Sequence, residues 1–116
     1  MSDAAPIVHP PIPISLLDWK PMPRNSLRGF AKIRLGRSLI ISDVSLHCSN
    51  GRRWAALPSK PQIDRDGNGR RGQNGKLAYT PILEWTDRES ADRFSESMIA
   101  AVEREHPGAT ESDYKT

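Results

Sequence analysis

The chain has 116 residues, of which 27% are charged and 36% hydrophobic, and its net charge is +3. That length supports one domain with a small core, of the kind that often completes its packing by pairing with a second copy. No apolar run approaches the roughly 18 residues of a membrane-spanning helix, and the single cysteine, Cys48, excludes an intramolecular disulfide and suits a reducing cytoplasm.

The charge is unevenly spread. From Lys20 to Lys76 there are 13 Lys and Arg against 3 acids, whereas from Leu77 to Thr116 there are 4 against 9. A basic body attracts phosphate backbones, so nucleic acid is the first partner to consider, with a solvated basic surface as the plain alternative.

In chain order, residues 1–13 read as a Pro-rich tail without the basic start and apolar core of a signal peptide. "ISLLDW", 14–19, reads as a first strand and "KPMPRNS", 20–26, as a turn. "LRGFAKIRL", 27–35, alternates with period two. Leu27, Ala31, Ile33 and Leu35 are expected on one face, with Arg28, Phe30, Lys32 and Arg34 on the other. Cations around a ring suit a nucleic acid, although packing of Phe30 against a neighbouring strand or subunit, with the cations solvated, is the favoured expectation. "LIISDVSLHC", 39–48, is a second alternating strand, with Ile40, Val44, Leu46 and Cys48 expected inside. "SNG" turns the chain into a third strand, "RRWAALPSKP", that ends at Pro58. Core packing is the expectation for Trp54, and core or interface for Trp19 and Trp85.

Residues 61–76 form a Gly-rich basic loop. Asp64, Asp66, Asn68 and Gly69 occupy the first, third, fifth and sixth places of an EF-hand calcium loop, but the closing Glu at place twelve is Gly75 here, and Arg70 and Arg71 follow the turn. The upstream prolines also prevent a flanking helix. Calcium is therefore set aside in favour of a flexible hairpin tip rich in Asp-Gly and Asn-Gly turn signals. "KLAYTPILEW", 76–85, is extended, with Pro81 at an edge or bulge. A helix follows, with Thr86 as N-cap, Glu89 completing a capping box, and Ala91, Phe94, Met98, Ala101 and Val102 as its apolar stripe. "HPG", 106–108, stops it, and residues 108–116 read as a second tail. The expected architecture is α+β: one domain over 14–107, built as an antiparallel β-meander of three to four strands with a C-terminal α-helix packed on it, dimerising through the sheet.

Catalytic chemistry finds little support. His47 and Cys48 are adjacent on a strand and point to opposite faces, which disfavours a dyad or a shared metal. The chain lacks CxxC, HExxH, GxxxxGK[ST] and GxSxG. The expectation is a non-enzyme with no metal, cofactor or small-molecule substrate.

The stretch "ISDVSLHCSNGRRWAALPSKP" resembles the SpoVG family, named from stage V sporulation protein G. It carries that family's alternating strand, Asn-Gly turn, aromatic residue (Trp54) and Pro58-Ser59-Lys60 segment, and "GFAKIRLGRSLIISDV" is similar to its central strand pair. Tyr79-Thr80-Pro81-Ile82 resembles its Pro-Ile segment, so the likeness covers about residues 27–83. The resemblance implies a cytoplasmic dimer that binds DNA or RNA and regulates gene expression, with effects on septation and sporulation in some bacteria. Two features depart from the family: a longer loop after Lys60, and an acidic helix where basic residues are usual. Charge complementarity therefore moves the expected nucleic-acid contacts to Arg28, Lys32 and Arg34 on the strand face, Arg52 and Arg53 on the next hairpin, and Lys60, Arg65, Arg70, Arg71 and Lys76 in the loop, acting as a mobile phosphate-binding arm. The alternative is a protein-interaction module in division or in phage or mobile-element biology, in which the acidic helix meets a basic partner surface.

Overall fold

A computed structural model describes residues 12–73 and 75–111. Four antiparallel strands lie in the order in which the chain makes them: β1 (Ile14–Arg24), β2 (Leu27–Leu35), β3 (Leu39–Ser49) and β4 (Arg52–Ala56). A separate two-stranded ribbon pairs β5 (Ser59–Pro61) with β6 (Tyr79–Pro81), and one helix, α1 (Arg88–Glu105), closes the fold. This is the expected α+β meander with a C-terminal helix. The β3–β4 turn places Asn50 and Gly51 both at positive φ, the geometry that matches the twist of a two-residue hairpin. Among the described residues, no helix is long and apolar enough to cross a membrane.

The helix covers one face of the sheet. Its buried residues Phe94, Met98, Ala101 and Val102 recur at helical spacing, and the first two and Val102 pack with Trp19, Ala31, Ile33, Ile41, Val44 and Leu46 in one core. Trp85 adds its ring to Phe94, with centroids 5.1 Å apart. Asp87, rather than Thr86, is the N-cap: its carboxylate accepts the Ser90 N–H at 2.7 Å, while the Thr86 hydroxyl donates to the same carboxylate at 3.1 Å. The expected Thr86–Glu89 capping box therefore gives way to a cap one residue later.

The strands are bulged, and the bulges decide which side chains face the helix. Leu16 pairs with Ile33 and Trp19 with Ala31, so β1 holds one extra residue and both its large side chains still point inward. On β3, Ala31 pairs with Val44 but Ile33 pairs with Ile41. The extra residue lies beside Asp43, which takes a positive φ of 59. Strict alternation places Ile40 inside; this bulge buries Ile41 instead and leaves Ile40 54% exposed.

The ends of the domain also differ from expectation. The Ile12 N–H donates to Ser97 Oγ at 3.2 Å, and Pro13 O accepts from Gly36 N, so the fold begins before residue 14. Beyond α1 the chain folds back: Ala109 packs against the core and Thr110 is fully buried. The Glu103 carboxylate holds it there, accepting from Gly108 N at 2.6 Å and Thr110 N at 2.9 Å. The rest of the two expected tails, residues 1–11 and 112–116, lies outside the described residues.

The closest approach in the sheet is at Gly29, where a Cβ would lie 2.5 Å from Lys20 O and 2.7 Å from the Trp19 ring. Gly29→Ala is expected to cost about 1–3 kcal/mol, the range typical of overpacking. Urea denaturation reads this, and an unchanged midpoint would mean that β1 moves aside freely.

Candidate nucleic-acid interface

The face of the sheet away from α1 carries Lys20, Phe30, Lys32, Arg34, Ser45, His47, Arg52 and Trp54, set there by strand register. Two cations expected among the contacts are turned to the other side. Between Leu27 and Gly29 the β2–β3 register shifts by one residue, so Leu27 pairs opposite His47 and Arg28 turns inward. Arg28 is only 4% exposed, and its guanidinium donates to the carbonyls of Ser26 and Asn25. Arg53 pairs with Cys48, whose side chain is buried, so it too faces the helix side. It donates to Thr110 Oγ1 at 3.1 Å and lies 3.8 Å from the Glu103 carboxylate. Both arginines hold the fold together and leave the outer face, Arg28 by burial and Arg53 by turning, still exposed, to the helix side.

Trp54 is a second correction: it stands on the outer face, not in the core. Its ring stacks on His47 with centroids 5.2 Å apart and planes 9° from parallel, and the Arg52 guanidinium lies 5.6 Å from the ring centroid. The alternation signal was present, since Cys48 inside sets His47 outside and the hairpin places Trp54 opposite His47. Next to this stack is a cleft of about 640 Å3. Phe30, His47 and Tyr79 bring rings to it, and Leu27, Leu57 and Ile82 line the rest together with Asp43, Ser45 and Ser59. A smaller hollow of about 250 Å3 adjoins Phe30 and gathers Lys20 and Lys32 with Asp18 and Asp43.

The long loop carries its own hydrogen-bonded structure. The backbones of Gln62, Arg70 and Ala78 close a ring of three hydrogen bonds, each 2.8 Å: Arg70 N to Gln62 O, Gln62 N to Ala78 O and Ala78 N to Arg70 O. Two small hairpins grow from this ring, one bridged at Ile63 and Gly69, the other at Arg71 and Leu77. In the first, Asp64 Oδ1 accepts the N–H groups of Asp66 and Asn68, each at 2.9 Å. The residue that resembled a first calcium ligand thus organises its own turn. In the second, the Arg71 guanidinium donates to Gly75 O at 2.8 Å. The expected arm thus consists of two hydrogen-bonded hairpins. The ribbon still presents Lys60, Arg65, Arg70, Arg71 and Lys76 to solvent. Lys60 and Arg70 share a hollow with Pro61, Gln62, Ile63 and Thr80.

Among the described residues, no group of three or more His, Cys, Asp or Glu side chains is placed to hold a metal ion. Cys48 is buried on the helix side and His47 faces outward, so the two do not meet. Burial, aided by the positive charge of Arg28, holds the His47 imidazole below its ordinary value of 6.5. Its ring nitrogens lie 3.0 Å from Ser45 Oγ and 3.4 Å from Ser26 Oγ. At Glu103 burial pushes the carboxyl up, but hydrogen bonds from Thr110 and Gly108, with Arg53 beside it, bring it below the usual range.

Comparison of the chain with protein-family models, curated proteins and solved structures gives no match.

The lowered His47 pKa carries a sign. Just below pH 6.5 the unfolded chain takes up a proton that the folded imidazole refuses, so stability falls with pH there and levels off below the folded value. The thermal midpoint is expected to drop between about pH 7 and 5.5, and to drop less in His47→Gln. Equal slopes for the two proteins would show that the imidazole titrates alike folded and unfolded. In the ribbon, Asp64→Ala is expected to speed amide exchange at Asp66 and Asn68 while leaving the global midpoint almost unchanged; unaltered exchange would mean that the carboxylate does not hold the turn.

Proposed function

We propose that this protein is a non-enzymatic nucleic-acid-binding regulator that grips phosphate backbones through its outer sheet face and its β5–β6 ribbon. One observation carries the reading: the concentration of exposed cations on the outer sheet face and the ribbon. Lys20, Lys32, Arg34 and Arg52 on the outer face, and Lys60, Arg65, Arg70, Arg71 and Lys76 on the ribbon, are all exposed. α1, which covers the opposite face, exposes Glu89, Asp92, Glu96 and Glu105 against Arg88 and Arg104, so its exposed charge is negative on balance. Asp18, Asp43 and Asp66 are exposed beside these cations, and Asp64 is committed to two backbone N–H groups, so the cations outnumber the acids. Guanidinium and ammonium groups spread over a bulged sheet and a projecting ribbon suit an extended polyanion.

The resemblance to the SpoVG family points the same way and adds gene regulation in the cytoplasm and a homodimer. The apolar residues Ile63 and Leu83, each more than 40% exposed on or beside the ribbon, are surface that a second copy would cover. A dimer doubles the cations and steepens the dependence on salt. Contacts of this kind position the protein and read no sequence.

Fluorescence anisotropy with labelled DNA and RNA at about 50 and 200 mM salt tests the reading, and sedimentation of the same sample reads the dimer. Binding is expected to weaken steeply with salt. Arg70→Ala with Arg71→Ala, and separately Lys32→Ala with Arg34→Ala, should each weaken duplex binding and lower the log–log salt slope by about 2 per protomer. Absence of binding at the lower salt sinks the proposal and turns attention to a basic protein partner for the acidic helix.

A further inference from the structure

The outer cleft is not explained by phosphate binding, because no cation lines it. Its lining is rings and aliphatic side chains from four places in the chain: Leu27 and Phe30 on β2, His47 on β3, Leu57 after β4, and Tyr79 and Ile82 around β6. Tyr79 is 54% exposed and Ile82 58%, so the ribbon holds apolar surface at an open rim. Polar groups sit among them: the Asp43 carboxylate and the hydroxyls of Ser45 and Ser59. Cations surround the cleft without entering it. Lys20 and Lys32 border the neighbouring hollow that shares Phe30 and Asp43, Lys60 follows Ser59 in β5, and Arg52 lies over Trp54, which stacks on His47 at the cleft's edge.

Resting on the nucleic-acid reading, we propose that this cleft takes one unpaired base of a single strand. Phe30 and Tyr79 offer stacking faces, Asp43, Ser45 and Ser59 offer hydrogen-bonding groups to the base edge, and Lys32, Lys60 and Arg52 hold the phosphates on either side. A duplex cannot use such a cleft, since its bases are stacked on both faces and their edges are paired. A single strand can turn one base out at little cost, and aromatic stacking accepts any base because each has a π face. The cations and the cleft then act on the same strand, with the base in a ring-lined recess and its backbone over the basic rim.

The test uses the full chain and three labelled probes of one length: a thymidine single strand, the same strand with abasic sites in place of its bases, and a mixed-sequence duplex. A uridine strand separates RNA from DNA, which share this chemistry. The thymidine strand is expected to bind at least tenfold tighter than the abasic strand. Tyr79→Ala should weaken single-strand binding about 10- to 100-fold while leaving duplex and abasic binding within about twofold. Tyr79→Phe should retain the wild-type preference, and Phe30→Ala should repeat the loss from the other side of the cleft. Circular dichroism and a thermal melt check that each variant folds. Equal binding of the thymidine and abasic strands overturns the base cleft while phosphate binding survives. No binding of any probe removes the nucleic-acid reading and the cleft proposal together. Equal loss on all probes in Tyr79→Ala assigns the ring to the shape of the ribbon and overturns its stacking role.

Discussion

One helix covers one face of a four-stranded sheet, and the contact between them decides almost everything else. Phe94, Met98 and Val102 meet Ile33, Val44 and Leu46, each at most 1% exposed. Among the described residues, no second helix is present to bury the other face. That face must remain polar, be covered by a partner, or bind something. Two bulges follow from the same constraint: those after Leu16 and beside Asp43 each insert a residue so that Trp19 and Ile41 return to the helix side.

The fold was legible where the apolar pattern was strong. The α1 stripe, the Asn50-Gly51 hairpin and the inward set of Val44, Leu46 and Cys48 follow directly from period and turn chemistry. Legibility failed at the bulges. Arg28 and Leu27 changed faces, and Ile41 replaced Ile40, because period two cannot reveal an extra residue opposite a shorter strand. The N-cap moved from Thr86 to Asp87, a competition between two good capping residues that local sequence does not decide. Thr110 lay in a stretch that reads as tail, since nothing local tells that Glu103 will take it up.

The candidate interface was half legible. Nine of the ten expected cations lie on exposed positions; Arg28 alone is buried, and Arg53, though exposed, is turned to the helix side and tied to Thr110 and Glu103. The rings were harder to see. Trp54 and His47 meet only across a strand pair, and Tyr79 reaches the cleft only because the ribbon folds beside β3. A site assembled from residues 27 to 82 depends on topology, and composition gives only its charge. The same reasoning separates the two halves of the surface: cations attract over a distance, while rings act at contact.

The ring of hydrogen bonds among Gln62, Arg70 and Ala78 makes the ribbon modular. Each small hairpin leaves and returns at that ring, so a change in its length is absorbed before it reaches β5 or β6. Loop closure charges little for added residues, about 0.6 kcal/mol for each doubling. Both tips are therefore sites at which a foreign peptide or a reporter can be grafted into the middle of the chain while the sheet, helix and cleft keep their places.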